Sequence, residues 1–221
     1  LGLMAPDSFI PLAEETGMII NLGDWVLEHA LSQFADWRGK GFTDLQLAIN
    51  LSPKEFDRAD LPGRLLRRLE AHAIPPEALD VEITENLLMK DAEKNIDMVR
   101  QLRNNGLRIS IDDFGTRYSS LNYLRRFPIN SIKIDQSFVR DLNAGNSSST
   151  SIIHALSCIA RSFGLRILAE GVETEAQRQL LSGLACDDMQ GFLFSRPLSA
   201  AEFEAFLSSS AFPSRAPTSI N

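Results

Sequence analysis

Apolar and polar positions alternate along six short stretches of the chain, and this two-residue period predicts β-strands. The stretches are residues 45–52, 79–84, 108–114, 131–137, 166–171 and 190–195. Between them, apolar residues recur every three or four positions, which predicts helices over residues 21–40, 61–73, 91–105, 150–163, 174–184 and 199–207. Gly106 is the expected stop of the third helix, and Ser199 the expected N-cap of the last. Alternating strands and helices predict βα units around a parallel sheet.

The spacing of the strands narrows the fold class. The five steps between Asn50 and Gln190 average about 28 residues, close to the roughly 31 of an eight-fold barrel. A doubly wound sheet fits this spacing too, but it would carry a glycine-rich phosphate turn after an early strand, which the sequence lacks. We therefore expect an α/β fold, a TIM-type (β/α)8 barrel with six of its eight strands in the sequence. The domain is expected over residues 1–207, with a flexible loop at 144–150 and a flexible tail at 208–221.

Within the predicted strands, one set of alternate positions is apolar and the other is mostly polar. The apolar set, which includes Val81, Ile83, Ile109 and Ile132, is expected to pack against the helices, so the polar set faces the lumen. The expected lumen residues are Gln46, Ala48, Asn50, Asp80, Glu82, Thr84, Arg108, Ser110, Asp112, Ser131, Lys133, Asp135, Arg166, Leu168 and Glu170. Asp113 has the opposite parity, but it directly precedes a Phe-Gly pair at which the chain can turn.

Carboxylates crowd the C-terminal ends of these strands, where barrel enzymes keep their chemistry. Six of them share one mouth with Lys133 as the main cation, and they cannot all be ionised there without a neutralising partner. The six are Glu82, Asp112, Asp113, Asp135, Glu170 and Glu173. Either several are protonated or divalent cations neutralise them. Because Asn50 adds an oxygen donor and no His or Cys has ligand-like spacing, the favoured ions are Mg²⁺ or Mn²⁺.

Each of these residues also has a purely structural interpretation. An acid that ends a strand often caps a helix, residues 112–115 can form an Asx turn, and Lys133 can be a structural ion-pair partner. His154 is expected to be a buried or boundary helix residue, and Cys158 a small core residue. The agreement of five successive strands in parity and end position favours a shared site over these separate interpretations.

Composition excludes several classes of protein. The 221 residues carry a formal net charge of −7, which argues against binding to DNA. No apolar run approaches the roughly 20 residues that span a bilayer, so we expect no membrane insertion in this segment. Two cysteines give no disulfide framework, and the first residues lack the charged start of a signal peptide. These features together predict a cytoplasmic domain.

Seven short motifs are spread along the chain between residues 3 and 207. They are 6–17 (PDSFIPLAEETG), 50–53 (NLSP), 82–85 (EITE), 112–121 (DDFGTRYSSL), 133–135 (KID), 169–174 (AEGVET) and 190–191 (QG). In these residues and their order the sequence resembles the EAL domain, the phosphodiesterase family that hydrolyses the bacterial second messenger cyclic di-GMP. The resemblance implies a modified barrel and hydrolysis to linear pGpG by water that two Mg²⁺ or Mn²⁺ ions activate.

The resemblance also assigns roles to individual residues. It implies Asn50, Glu82 and Asp112 as ligands of the first ion, with Asp112, Asp113 and Glu170 as ligands of the second. Lys133 would hold or activate the attacking water, Glu85 would anchor the loop at 114–120, Asp135 and Glu173 would be supporting acids, and Gln190 would contact the substrate. The implied partners are cyclic di-GMP, a second copy in a homodimer, and a sensor or cyclase domain upstream.

The sequence departs from the family pattern in two places. Arg117 replaces the usual glycine in the 112–121 motif, and the family's first two strands, with a metal-binding Glu-x-Leu motif, are expected upstream of Leu1. A module that binds cyclic di-GMP without hydrolysing it is the main alternative function, and an unrelated Mg²⁺-dependent acidic barrel of the enolase type is a weaker one. The retained acids favour the enzyme.

Overall fold

Six parallel strands form one sheet in the computed structural model, which describes residues 4–115, 121–142 and 147–209. The strands are β1 (Leu47–Asn50), β2 (Leu79–Thr84), β3 (Arg108–Phe114), β4 (Ser131–Ile134), β5 (Arg166–Ala169) and β6 (Asp188–Met189). They lie side by side in chain order, and every neighbouring pair is parallel. The sheet is a half-barrel, so the expected TIM-type α/β class is confirmed.

Helices cover the outside of the sheet and connect its strands. They are α1 (Ile10–Thr16), α2 (Ile19–Gly39), α3 (Pro53–Phe56), α4 (Leu61–Ala71), α5 (Glu85–Lys90), α6 (Ala92–Asn104), α7 (Leu121–Leu124), α8 (Gln136–Asp141), α9 (Ser147–Ser162), α10 (Glu175–Gly183) and α11 (Ala200–Ser208). The six helices predicted from apolar spacing are all present within three residues of their expected ends. Ser199 caps α11 as expected, and Gly106 follows α6 with a φ of +88°. None of the described helices is both long enough and apolar enough to cross a membrane.

The two faces of the strands divide as the alternation predicts. Ile83, Ile109, Ile111 and Ile132 are fully buried between the sheet and the helices. The opposite positions of the strands line a lumen cavity of about 330 Å³, whose walls include Lys133. The hydrophobic core therefore lies between the outer face of the sheet and the helices, and the polar side chains face the lumen.

Several strands end earlier than the alternation indicates. The strand expected over residues 131–137 stops at Ile134, because Asp135 caps α8 and accepts a hydrogen bond from the backbone N–H of Ser137 at 3.0 Å. The strands expected over residues 45–52 and 166–171 are likewise reduced to β1 and β5. Side-chain alternation continues past the last ladder hydrogen bond, so the pattern alone does not mark the ends.

The prediction of a strand over residues 190–195 is wrong. The last strand is the two-residue β6, after which the backbone N–H groups of Phe194 and Ser195 donate to the carbonyl of Gly191 in a turn. Gly191 lies against Val172, whose carbonyl accepts a hydrogen bond from the N–H of Leu193 at 3.0 Å. Residues 190–195 are rich in aromatic and apolar residues, as strands are, but the chain folds back before this segment can pair with a neighbouring strand.

Two expectations for α9 are also corrected. Cys158 and His154 are exposed rather than buried, because the buried face of this helix is formed by Ile153, Leu156 and Ala160. The flexible loop expected at residues 144–150 is already helical from Ser147 onward. Residues 144–146 of that loop, and all of the expected tail except Ser208 and Ser209, lie outside the described residues.

The close approach at Gly191 yields a stability prediction. A Cβ at this position would lie 2.2 Å from the carbonyl oxygen of Val172, so Gly191→Ala must displace backbone. We expect it to lower the free energy of unfolding by about 2 kcal/mol, measured by urea denaturation. Gly183→Ala is the matched control, because its Cβ would meet no atom within 4 Å. Equal stability of the two variants would contradict the packing described here.

Candidate active site

Lys133 lies at the centre of the acidic residues at the C-terminal end of the sheet. Its Nζ is 2.7 Å from Oε2 of Glu82, 2.8 Å from Oε1 of Glu170 and 3.1 Å from Oδ1 of Asp112. These side chains come from β4, β2, the residue after β5, and β3. The Lys133 side chain is only 7% exposed, so its ion pairs are poorly screened by water. The structure thus brings together four of the predicted site residues.

The pKa values of three acids in this cluster are raised, so their ionised forms are disfavoured. Burial raises the pKa of Glu82 and of Glu170, and the Lys133 ammonium offsets only part of that effect. Burial, followed by the charge of Asp112, also raises the pKa of Asp113. Burial disfavours the charge of Lys133 as well, but the facing carboxylates, Glu82 first, hold its pKa above its ordinary value. Because the cluster contains more acids than lysines, binding of a further cation there is electrostatically favourable.

A β-bulge accounts for the position of Asp113. The register of β3 against β4 shifts between Ile111 and Phe114, so β3 carries one extra residue there. Asp113 has a φ of +56°, a left-handed conformation that aspartate tolerates better than most residues, and its N–H lies 3.1 Å from Oδ1 of Asp112. Phe114 then returns to the core and is 1% exposed. The bulge lets two consecutive acids lie near the same mouth despite their opposite parity.

Glu85 holds the chain just beyond the bulge. It is the first residue of α5, is 2% exposed, and accepts a hydrogen bond at Oε2 from the backbone N–H of Gly115 at 3.0 Å. Thr84 caps the same helix through the N–H of Leu87. The rest of the expected loop, residues 116–120 with Arg117, lies outside the described residues. Glu85 therefore fixes the start of the loop, and its role for the whole loop stays a prediction.

Asn50 and Gln190 lie at the same end of the sheet as Lys133. Asn50 ends β1 and is opposite Glu82 in the parallel register of β1 and β2. Gln190 follows β6, where its backbone N–H donates to the carbonyl of Ala169 at 2.8 Å, and it lines the lumen cavity. Both positions border the acidic cluster, as a metal ligand and a substrate contact would have to do.

The two predicted supporting acids have different surroundings. Asp135 caps α8 and also accepts a hydrogen bond from the hydroxyl of Ser137, and its charge contributes to the raised pKa of Asp113. Glu173 is exposed, and its backbone N–H donates to Oε1 of Gln177 at 2.8 Å. Asp135 therefore belongs to the electrostatic surroundings of the cluster, whereas Glu173 is not among the carboxylates on Lys133.

Below the cluster, the lumen has a hydrogen-bonded floor to which sequence analysis assigned no role. The Ser110 hydroxyl lies 2.7 Å from Oδ2 of Asp80 and 2.7 Å from the hydroxyl of Ser131. Arg166 pairs with Asp188 beside them at 2.6 Å. Each of the first three residues precedes a site residue by two positions on its own strand, which is the sequence signal that could have identified the floor.

The donor atoms of the mouth suit a hard divalent cation. Carboxylate oxygens of Glu82, Asp112, Asp113 and Glu170, with the amide oxygen of Asn50, are the ligand types that Mg²⁺ and Mn²⁺ prefer. Among the described residues, no three His, Cys, Asp or Glu side chains are already arranged as a metal cage. Three of the carboxylates point instead at the ammonium of Lys133. They would have to turn partly away from it to bind an ion.

Comparison with known proteins decides the family of this chain. Residues 1–197 match the profile of the EAL domain. The chain belongs to the EAL domain family. It is 43% identical over 204 residues to the bifunctional diguanylate cyclase/cyclic di-GMP phosphodiesterase MucR of Pseudomonas aeruginosa, covering 92% of this chain and 30% of MucR. It is 40% identical to the cyclic di-GMP phosphodiesterase NbdA of the same organism, covering 98% of this chain and 28% of NbdA.

A solved structure supports the same assignment. The PaMucR phosphodiesterase in complex with c-di-GMP superposes with a TM-score of 0.88 at 43% identity, covering 91% of this chain and 81% of that one. The EAL domain described here spans less than a third of the length of the two relatives named above. The resemblance read from the seven motifs is confirmed, while the roles of single residues stay predictions.

The central ion pairs predict a large stability loss on removal of the lysine charge. Lys133→Met keeps most of the side-chain volume but leaves the buried Glu82 and the partly buried Asp112 and Glu170 without their cation, which should lower the free energy of unfolding by about 3–5 kcal/mol in urea denaturation. Lys40→Met is the control, because Lys40 pairs with Glu204 at the surface and is 52% exposed. Its loss should stay below about 1 kcal/mol. Similar losses in both variants would contradict a buried lysine centre.

The anchor at Glu85 predicts a local change in backbone protection. Glu85→Ala leaves the N–H of Gly115 without this carboxylate acceptor, a loss of about 1.5–3 kcal/mol, so the Gly115 amide should exchange with deuterium about 10- to 100-fold faster. Glu85→Gln keeps an oxygen acceptor and should retain most of the protection. Unchanged exchange in the alanine variant would show that Glu85 does not hold this backbone.

Proposed function

We propose that this EAL domain hydrolyses cyclic di-GMP to linear pGpG, as a cytoplasmic step in bacterial second-messenger signalling. The observation that carries the proposal is the convergence of Glu82, Asp112 and Glu170 on Lys133 at the C-terminal end of a parallel half-barrel. Relatives at 40% and 43% identity bear the name of this activity, and a structural neighbour holds c-di-GMP. The acids that the family pattern expects within residues 1–221 are all retained, which favours this proposal over a module that only binds the nucleotide.

The oxygen donors divide between two ions in this proposal. Asn50, Glu82 and Asp112 would hold the first Mg²⁺ or Mn²⁺, and Asp112, Asp113 and Glu170 would hold the second. When bound, such ions lower the pKa of water and stabilise charge on the attacking and leaving oxygens of an in-line displacement. EAL phosphodiesterases generally depend on divalent metals, in agreement with this donor set.

Lys133 holds or activates the attacking water in this proposal. Burial lowers its pKa, but the facing carboxylates hold that pKa above the ordinary lysine value, so among them it is an ammonium group. Its three N–H bonds can hold and orient the attacking water or an anionic phosphate oxygen. The same positive charge helps an acidic mouth accept a dianionic substrate.

The remaining site residues position the reacting groups. Glu85 holds the backbone just beyond the bulge that carries Asp113. Asp135 adds negative charge beside Asp113, and Glu173 would be a further supporting acid. Gln190 would contact the substrate near the phosphate that is cleaved. A homodimer and an upstream sensor or cyclase domain belong to the same proposal, and the greater length of the relatives is compatible with such a domain.

The test is the release of pGpG from cyclic di-GMP, followed by chromatography with Mg²⁺, with Mn²⁺ and with a chelator. We expect turnover only with the metals. Glu82→Gln removes a charged ligand, and because loss of an outer partner of a metal ligand already costs 10- to 100-fold, the rate should fall by more than about 100-fold.

Glu175→Gln is the matched control, since it is the same exchange at an exposed carboxylate that pairs with Arg178 on the surface. Its rate should equal that of the parent chain. Two outcomes contradict the proposal: binding of cyclic di-GMP without pGpG in the presence of metal, and undiminished turnover by the Glu82 variant. The first would favour a receptor for the nucleotide.

A further inference from the structure

Gln177 is a buried polar side chain in the first turn of α10, outside the acidic cluster. It is 2% exposed, and both ends of its amide bind backbone groups. Its Oε1 accepts hydrogen bonds from the N–H groups of Glu173 at 2.8 Å and of Thr174 at 3.0 Å. Its Nε2 donates to the carbonyl of Val139 in α8 at 3.0 Å. The side chain therefore connects three segments: α8, α10 and the residues between β5 and α10.

The residues between β5 and α10, 170–174, carry one acid of the cluster around Lys133. Oε1 of Glu170 lies 2.8 Å from Nζ of Lys133, and the N–H of Glu170 donates to the carbonyl of Ile134 at 3.2 Å. Ile134 ends β4, and α8 begins two residues later at Gln136. Residues 170–174 and α8 therefore continue directly from the two strand ends that hold Glu170 and Lys133. The placement of one segment against the other thus affects the cluster.

The same two segments also meet at Gly171. A Cβ at Gly171 would lie 2.7 Å from Cβ of Gln136, in the first turn of α8, so the backbone approaches this helix too closely for a side chain. The φ of Gly171 is +71°, a conformation that glycine adopts without strain. Gly171 therefore contacts the start of α8, while the hydrogen bond from Gln177 reaches Val139 one turn further along.

The donor half of the Gln177 amide goes beyond what a helix cap needs. Gln177 completes a capping box with Thr174, and in such a box glutamine or glutamate serves, because only an acceptor for the backbone N–H is used. Its bond to Val139 needs an N–H donor, which a glutamate carboxylate lacks. The link to α8 can therefore be separated from the cap by exchanging the amide for a carboxylate.

We propose that Gln177 is a positioning residue of the hydrolytic site: it holds residues 170–174 against α8 and so keeps Glu170 beside Lys133. For its effect on turnover, this inference rests on the proposed function. Gln177 acts through the backbone, so it is not a catalytic residue. Because a misplacement of about 1 Å can cost about 100-fold in rate, such a link matters without touching the reacting atoms.

Amide exchange with deuterium tests the link without metal or turnover. Two variants of the full chain are compared: Gln177→Glu keeps the acceptor and removes the donor, and Gln177→Leu removes both. In Gln177→Glu the Glu170 amide should exchange about 5- to 10-fold faster while the Thr174 amide stays protected, and in Gln177→Leu both should exchange about 10- to 100-fold faster. Gln179→Glu is the matched control and should change neither, because Gln179 is exposed on the same helix.

Metal binding and turnover then test the effect on the site. Free Mn²⁺ gives an EPR signal that falls on binding, so a titration measures its affinity. Gln177→Glu should weaken Mn²⁺ binding about 10-fold, the lower end of what loss of an outer partner of a metal ligand costs. With cyclic di-GMP as substrate, kcat should fall about 10-fold and KM should change less than about twofold, because the lost interaction orients a reacting group rather than binding the substrate.

Unchanged exchange at Glu170 in both Gln177 variants overturns the proposal, and so does an equal acceleration of the β2 amides in Gln177→Glu, which would show a general loss of stability. The parent chain gives a test that needs no variant: its Glu173 amide should be protected although the residue is exposed, and exchange there at the rate of free backbone overturns the proposal. Absence of pGpG from the parent contradicts the proposed function instead, and the exchange at Glu170 still decides whether Gln177 holds this acid in place.

Discussion

The repulsion among buried carboxylates at one end of a parallel sheet is the interaction around which this EAL domain is organised. Parallel strands bring their carboxyl ends to one edge, and here that edge holds Glu82, Asp112 and Glu170 around a single ammonium. In a poorly hydrated site, like charges a few ångströms apart repel by several kcal/mol, so the cluster persists only if some acids are protonated or cations lie among them. Lys133 is one such cation, and the remaining excess of negative charge is what divalent ions can neutralise.

Within the lumen the excess of negative charge is confined to the mouth, so a cation is attracted to one place. On the floor of the lumen, Asp80 lies opposite Arg108 in the strand register, and Asp188 is paired with Arg166. Two acids there are balanced by two arginines, so the floor contributes little net field. The formal charge of −7 for the whole chain is therefore a poor guide to the site, because the local arrangement rather than the total decides where a cation binds.

The backbone holds many of these side chains because four of the six strands, β1, β2, β4 and β5, are followed by a capped helix. Ser52, Thr84, Asp135 and Thr174 each cap a helix that begins at or soon after the end of a strand, so little free chain lies between the sheet and the next helix. Rigid ends of this kind keep catalytic groups within the narrow tolerances that chemistry requires. Asp135 has a structural and an electrostatic role: it caps α8, and its charge is part of the acidic surroundings of Asp113.

These same strand ends mark the limit of what the sequence could predict. Alternation placed Glu82 and Lys133 inside the barrel because that pattern depends only on which face of a strand is buried. It could not show that Asp113 takes a left-handed conformation in a bulge, since a bulge inserts a residue without altering composition. It also misplaced residues 190–195, where the contact of Gly191 with Val172 overrides a strand-like composition, and Cys158, whose exposure depends on how α9 is rotated against the sheet. Periodicity thus identifies the faces of an element, whereas its ends and its rotation are decided by contacts between segments distant in the chain.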